Sequence, residues 1–173
     1  MKKLLLSIIV LSMVGCQQPK EKLEPNMEFG GLSGISDDHS KESLMAREFN
    51  EFYASNNFEK GAYMISDDAE VFFNNDKVSK QGWIDGASAH HDFFDDISNN
   101  KIQPYNLTTS FYDNGEVWTQ CWFIWTGLGK FTGAEAQTLV HYAFRWEGDK
   151  IVAAYHFFDP TVINNEIAAA NQQ

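Results

Sequence analysis

Three histidines, His90, His141 and His156, carry most of the side-chain chemistry open to this 173-residue chain. An imidazole exchanges its proton near neutral pH, so it can act as general base or acid, or as a metal ligand. His141 and His156 lie in the run Thr138 to Pro160, TLVHYAFRWEGDKIVAAYHFFDP, which reads as a β-hairpin around Gly148-Asp149. A two-residue turn there sets Glu147 opposite Lys150, Arg145 opposite Val152 and His141 opposite His156. None of the three histidines sits in a metal-binding spacing such as HExxH, so no metal and no cofactor is expected. General acid–base work or hydrogen bonding to a ligand is the chemistry that remains. The bland alternative is three hydrogen-bonded structural histidines.

His90 belongs to a helix predicted over Lys80 to Ser98. Turning about 100° per residue gathers Trp83, Ala87, Phe94 and Ile97 on one side, with Asp85, Asp92 and Asp96 opposite. His90 falls within the apolar stripe and His91 at its edge. Upstream, Leu44 to Asn56 reads as an amphipathic helix with Met45, Phe49, Phe52 and Tyr53 on one face. Phe58 to Ile65 suits a short second helix, and Ala69 to Phe73 a strand. Ile102 to Asp113 and Glu116 to Thr126 flank Asn114-Gly115, a strong hairpin signal that pairs Phe111 with Trp118, Thr109 with Gln120 and Leu107 with Trp122. Gly127 to Gln137 is a connection, and Val162 to Ala170 a terminal helix after Asp159-Pro160. Helices followed by long antiparallel strands make an α+β domain, helices on one face of a curved sheet.

Alternation in the last hairpin puts Leu139, His141, Ala143 and Arg145 on one face with Val152, Ala154, His156 and Phe158. The other face carries Val140, Tyr142, Phe144 and Trp146 with Ile151, Ala153, Tyr155 and Phe157. Both are too apolar to face water, and pattern alone makes the aromatic set the core, with His141 and His156 outside.

The first fifteen residues stand apart from the domain. Lys2 and Lys3 precede the apolar run Leu4 to Val14, which is short for a membrane span and suited to a signal-peptide core. It ends in Ser-Met-Val-Gly-Cys, which resembles the lipobox of bacterial lipoproteins and implies lipid attachment at Cys16. Residues 16–38 then read as a tether and 39–173 as the domain. The protein is thus expected at the cell envelope, periplasmic or surface-facing, held to the membrane by lipid alone. The formal charge is −11, and the segment before Cys16 holds two lysines and no acid. A body this acidic argues against nucleic acid as a partner. Cys121 is the other cysteine, and its strand-like setting suits a packed core thiol.

The element order, with Phe144-Arg145-Trp146, Gly148 to Ile151, Tyr155-His156 and Phe158-Asp159 near the end, resembles the nuclear transport factor 2-like superfamily in its SnoaL-like branch. From about Lys41 to Ala170 the resemblance implies a cone-shaped α+β fold, a pocket between helices and concave sheet, and a homodimer through the outer sheet face. It places His156 in that pocket, where SnoaL-type cyclases carry an aspartate base, and turns the aromatic face outward. On this reading His156, assisted by His141, is the catalytic candidate, and His90, His91, Tyr105, Trp118, Trp122 and Asp159 are candidates for ligand contact. Asp159 could instead cap the segment after Pro160. The expected function is binding of a small, partly apolar organic molecule. An isomerase, lyase or hydrolase activity with His156 as base, and a non-catalytic interaction module, are the alternatives.

Overall fold

The computed structural model describes residues 30–172. The expected signal segment, Cys16 and most of the tether lie outside the described residues. In chain order the elements are β1 (Gly34–Asp37), α1 (Lys41–Ala54), a 3₁₀ helix (Phe58–Met64), β2 (Ile65–Phe73), β3 (Asp76–Val78), α2 (Lys80–Phe93), β4 (Phe94–Ser98), β5 (Asn106–Tyr112), β6 (Val117–Gly129), β7 (Glu135–Glu147), β8 (Lys150–Phe158) and α3 (Thr161–Ala170). The sheet runs β1-β5-β6-β7-β8-β2-β3, with β4 added on β6. Its ladders are antiparallel except where β8 meets β2. The class is α+β, with helices against a mostly antiparallel sheet.

Both long helices start on a serine. The Ser40 hydroxyl accepts the Ser43 N–H and the Ser79 hydroxyl accepts the Gly82 N–H, each satisfying an N–H that has no partner within the helix. The buried positions of α1 are Ser43, Ala46, Phe49 and Asn50, at the three-and-four spacing of one helical face. Asn56, at φ +55°, stops this helix in the left-handed region that asparagine tolerates.

Four sequence expectations are corrected. The expected tether ends early, because Gly34–Asp37 forms an edge strand on β5. α2 stops at Phe93 rather than Ser98, and Phe94 crosses to pair with Gly129. The reason lies in β6: a Cβ at Gly127 would stand 3.2 Å from Phe94 Cβ, so only a bare backbone admits the Phe94 ring, which meets Trp125 edge-on at 5.0 Å. The first hairpin closes through three residues, with the Tyr112 N–H on the Glu116 carbonyl and Gly115 at φ +88°. Phe111 therefore pairs with Val117, Thr109 with Thr119 and Leu107 with Cys121, each one residue from expectation.

The fourth correction concerns the histidines. Gly148, at φ +57°, makes the expected tight turn, with Glu147 opposite Lys150 and Trp146 opposite Ile151. Arg145 then pairs with Ala153, which leaves Val152 as the extra residue of a β-bulge. His141 consequently faces Phe157, and His156 faces Tyr142. Beyond the bulge the side chains of β8 exchange faces. Val140, Tyr142, Phe144 and Trp146 are buried toward the helices, and they share that side with Ile151, Ala154 and His156. His141, Tyr155 and Phe157 go to the outer side, where Leu139 is 63% and Phe157 49% exposed. The resemblance's outward placement of Tyr142, Phe144 and Trp146 is thereby reversed.

A buried row of hydroxyls ties α1 and β1 to the sheet. Trp146 Nε1–H donates to Thr119 Oγ1 at 2.9 Å, and Ser43 Oγ donates to the Asp37 carbonyl at 2.8 Å. Between them, Thr119 to Thr109 (2.7 Å) and Thr109 to Ser43 (2.8 Å) close the chain. An indole N–H only donates and a carbonyl only accepts, so the protons all run one way. At the other end of the domain, α3 is held by Glu166, which is buried and accepts the N–H groups of Phe131 and Thr132 and the Thr132 hydroxyl. Burial works against its ionisation, but these three bonds outweigh it and hold the carboxyl below its usual range.

Candidate functional site

Between the helices and the inner face of β6, β7 and β8 lies a cavity of about 350 Å³. One face of α2 supplies Trp83, Ala87 and His90 to it, while Phe49, Asn50 and Tyr53 come from α1. The sheet contributes Phe123, Trp125, Val140, Tyr142, Phe144 and His156, and α3 contributes Ile163. The entrance is where α2 presents Gly82 and Gly86, both exposed and one turn apart, near Asp76 and Val78. Among the described residues no lysine or arginine lines the cavity, and the single carboxylate there, Asp76, is exposed.

His156 sits in an aromatic cage. Its ring stacks on Phe73 (centroids 4.4 Å, planes 12° apart), meets Trp83 edge-on at 5.1 Å, and lies 5.6 Å from Phe144. Its Nδ1 is buried without a hydrogen-bond partner among the described residues. Burial pushes its pKa down to about 3; the Phe72 backbone opposes this and His141 adds slightly to it. The imidazole is therefore neutral across the physiological range.

His90 is oriented by a relay. Trp125 Nε1–H donates to Tyr53 Oη at 2.8 Å, and Tyr53 Oη lies 2.7 Å from His90 Nδ1. With Tyr53 Oη accepting from the indole, its own buried proton finds its one acceptor among the described residues in His90 Nδ1, which places the histidine's proton on Nε2. Burial, reinforced by His91, pushes the His90 pKa down to about 4, and burial raises that of Tyr53. The relay is thus a chain of neutral groups that ends in an Nε2–H donor without a protein partner among the described residues.

Two asparagines complete the polar lining. Asn50 Nδ2–H donates to Tyr142 Oη at 3.0 Å, and the Tyr142 hydroxyl in turn contacts Cys121, whose thiol burial pushes up to about 12. So buried a thiol is no nucleophile. Asn99, just past β4 and only 2% exposed, has its Oδ1 buried without a partner among the described residues. Sequence reasoning passed over Asn99 because the helix expected through Ser98 made it a terminus. Tyr53 was visible as part of an apolar stripe, but nothing marked its hydroxyl as the link between Trp125 and His90.

The cavity brings His90 and His156 together with these groups and leaves the other candidates elsewhere. His141 lies on the outer face, stacked on Trp122 at 4.1 Å, and its Nδ1–H donates to the Cys121 carbonyl at 3.1 Å. The bulge at Val152 is what puts His156 on the opposite face from His141. Trp118 and Trp122 share that face, Trp118 donating to Glu116 and stacking on Tyr155 at 6.0 Å. His91 donates Nε2–H to the Tyr53 carbonyl (2.7 Å), and Tyr105 donates to Glu51 (2.9 Å); neither lines the cavity. Asp159 accepts the N–H and hydroxyl of Thr161 and so caps α3. The one cluster of metal-type side chains among the described residues, Asp37, Asp38 and His39, is exposed and outside the cavity.

No family model matches this sequence, and no curated protein matches it. Solved structures do. An NTF2-like protein from Anabaena variabilis is 19% identical, with a TM-score of 0.51 over 67% of this chain and 84% of that one. A proposed polyketide cyclase from Xanthomonas campestris is 9% identical, with a TM-score of 0.56 over 72% and 95%. A proposed SnoaL-like polyketide cyclase from Shewanella putrefaciens is 11% identical, with a TM-score of 0.52 over 75% and 97%. At such identities the likeness establishes the fold: this chain has the nuclear transport factor 2-like, SnoaL-like architecture.

Proposed function

We propose that the protein binds a small, partly apolar organic molecule in this cavity while lipid at Cys16 holds it to the cell envelope. The observation that carries the reading is the cavity itself: about 350 Å³, aromatic-walled, with two exposed glycines on its lining, Asn99 Oδ1 without a protein partner among the described residues, and His90 held by Tyr53 through Nδ1. Its volume lies in the range of small-molecule sites. A pure interaction module would fill this space with its own aromatics. The anchoring rests on the Lys2-Lys3, apolar-run and Cys16 pattern, and a homodimer through the outer face on the exposed Trp122, Leu139 and Phe157.

A catalytic reading draws on the proposed cyclases and the proposed isomerase from Bacillus subtilis among the structural neighbours. His156 would then be the base. A pKa of about 3 leaves it unprotonated but weak, since proton abstraction is best served by a base nearer the working pH. Binding is therefore the stronger reading. It is tested with N-phenyl-1-naphthylamine, an uncharged dye that brightens in apolar sites. Saturable one-site brightening, abolished in a folded Ala87→Phe variant whose new ring fills the cavity, is the expected result. Brightening that survives Ala87→Phe, or no brightening at all, overturns the reading.

A further inference from the structure

We infer that the cavity is made for an uncharged, elongated molecule held by hydrogen bonds at both ends, with Asn99 and His90 at one end and His156 at the other. This rests on the ligand-binding reading above and adds the chemical class of the ligand.

Two measures separate the ends. Along α2, Trp83 touches His156 while His90 lies seven residues further on beside Trp125, about 10 Å away at helical rise. Along the sheet, His156 pairs with Tyr142 and Tyr142 with Cys121, whereas Ser98, next to Asn99, pairs with Thr126, next to Trp125. Cys121 and Trp125 are four residues apart on β6, about 13 Å at strand rise. Helix and sheet thus agree that His156 lies at one end, with His90 and Asn99 at the other.

Each end lacks something that a ligand can supply. Asn99 Oδ1 is a buried acceptor with no donor, an arrangement that folded proteins rarely leave unanswered. Beside it, the Trp125–Tyr53–His90 relay fixes a donor on His90 Nε2. A hydroxyl, which both donates and accepts, answers the two together. At the far end the buried Nδ1 of His156 is likewise unpartnered among the described residues, and on a neutral imidazole that nitrogen can take a hydroxyl. The walls between are aromatic faces, suited to a flat body. Charge is disfavoured, because an anion finds no lysine or arginine on the described lining to replace its water, and a cation finds only Asp76, which is exposed rather than in the interior.

The test titrates the full chain at pH 7.5 with naphthalene-2,6-diol, 2-naphthol and naphthalene-2,6-dicarboxylate, using calorimetry. The diol is expected to bind about tenfold more tightly than 2-naphthol, the difference made by a second hydrogen-bonded end, and the dicarboxylate not at all. Asn99→Ala and His90→Phe are each expected to weaken the diol about tenfold, with near-ultraviolet circular dichroism matching wild type to show that the fold is intact. If the dicarboxylate rivals the diol, or the diol does not exceed 2-naphthol, the inference fails and the binding reading stands. If both variants bind the diol like wild type, the polar ends are misassigned. If the dye does not bind wild type either, both fall together.

Discussion

Lowering the pH from 7.5 to 5 should destabilise this protein through His90 and His156. Both have folded-state pKa values below the ordinary 6.5, at about 4 and about 3. Above pH 6.5 both are neutral, folded or unfolded, and contribute no pH dependence. Below it the unfolded chain takes up protons that the folded state refuses, so stability falls as the pH drops from 6.5 toward 4. Among the described residues no carboxylate acts on either ring; the titratable neighbours are His91 for His90 and His141 for His156, and both push the same way. At pH 5 each buried histidine costs about 2 kcal/mol, and the pair about 4 kcal/mol. With a urea dependence of about 2 kcal/mol per molar, the unfolding midpoint should fall by about 2 M. The assay is urea unfolding at pH 7.5 and 5 and fixed protein concentration, with His156→Phe beside wild type. The variant should lose about half of the fall. Carboxylates such as Glu166, with an unfolded value of 4.5, act mainly below this window. An equal fall in wild type and His156→Phe would refute the claim that the ring is held neutral by burial.

Other perturbations reach different parts of the molecule. Thr119→Val removes the middle of the hydroxyl row, orphans the Trp146 N–H and takes from Thr109 Oγ1 the proton it accepts, so urea unfolding should show a loss of about 2–3 kcal/mol, largely restored by Thr119→Ser. Glu166→Gln replaces a charged acceptor of three hydrogen bonds, and hydrogen exchange at the Phe131 and Thr132 amides should quicken about tenfold or more. Trp122→Glu sets a charge within the exposed aromatic stack of the outer face, and sedimentation should show a dimer converted to monomer. Cys16→Ser should abolish incorporation of radiolabelled palmitate in growing bacteria, and unchanged incorporation would remove the lipid anchor from the account.

What could be read in advance follows the reach of the signals. The apolar stripes of α1 and α2 and the Gly148-Asp149 turn are local, and they led to the right elements and to the right fold resemblance. The bulge at Val152 has no side-chain signature: valine is an ordinary strand residue, and the extra position emerges only once β7, β8 and β2 are laid side by side. The dispute over which face was core came from assuming one unbroken register. The buried face takes Tyr142, Phe144 and Trp146 from the alternation pattern and His156 from the family pattern, and the bulge makes the two compatible. Asp113-Asn114-Gly115 fooled the reading in a similar way, since Asn-Gly suits a two-residue turn as well as the end of a three-residue loop. β4 was hidden because Phe94 and Ile97 continue a helical stripe, and the space that draws Phe94 into the sheet is made by Gly127, thirty-odd residues away. Asn99 follows from that error.

On the binding reading, Gly82 and Gly86 would set the time course of ligand entry. They leave a strip of bare helix at the entrance, and a Cβ at Gly86 would meet nothing within 4 Å. A molecule passing there would slide over helix backbone beside Asp76 and Val78. Encounter should then proceed at the rate of diffusion through a fixed gap, with a single kinetic phase whose rate rises linearly with concentration. Differences in affinity among ligands would appear in how long each one stays.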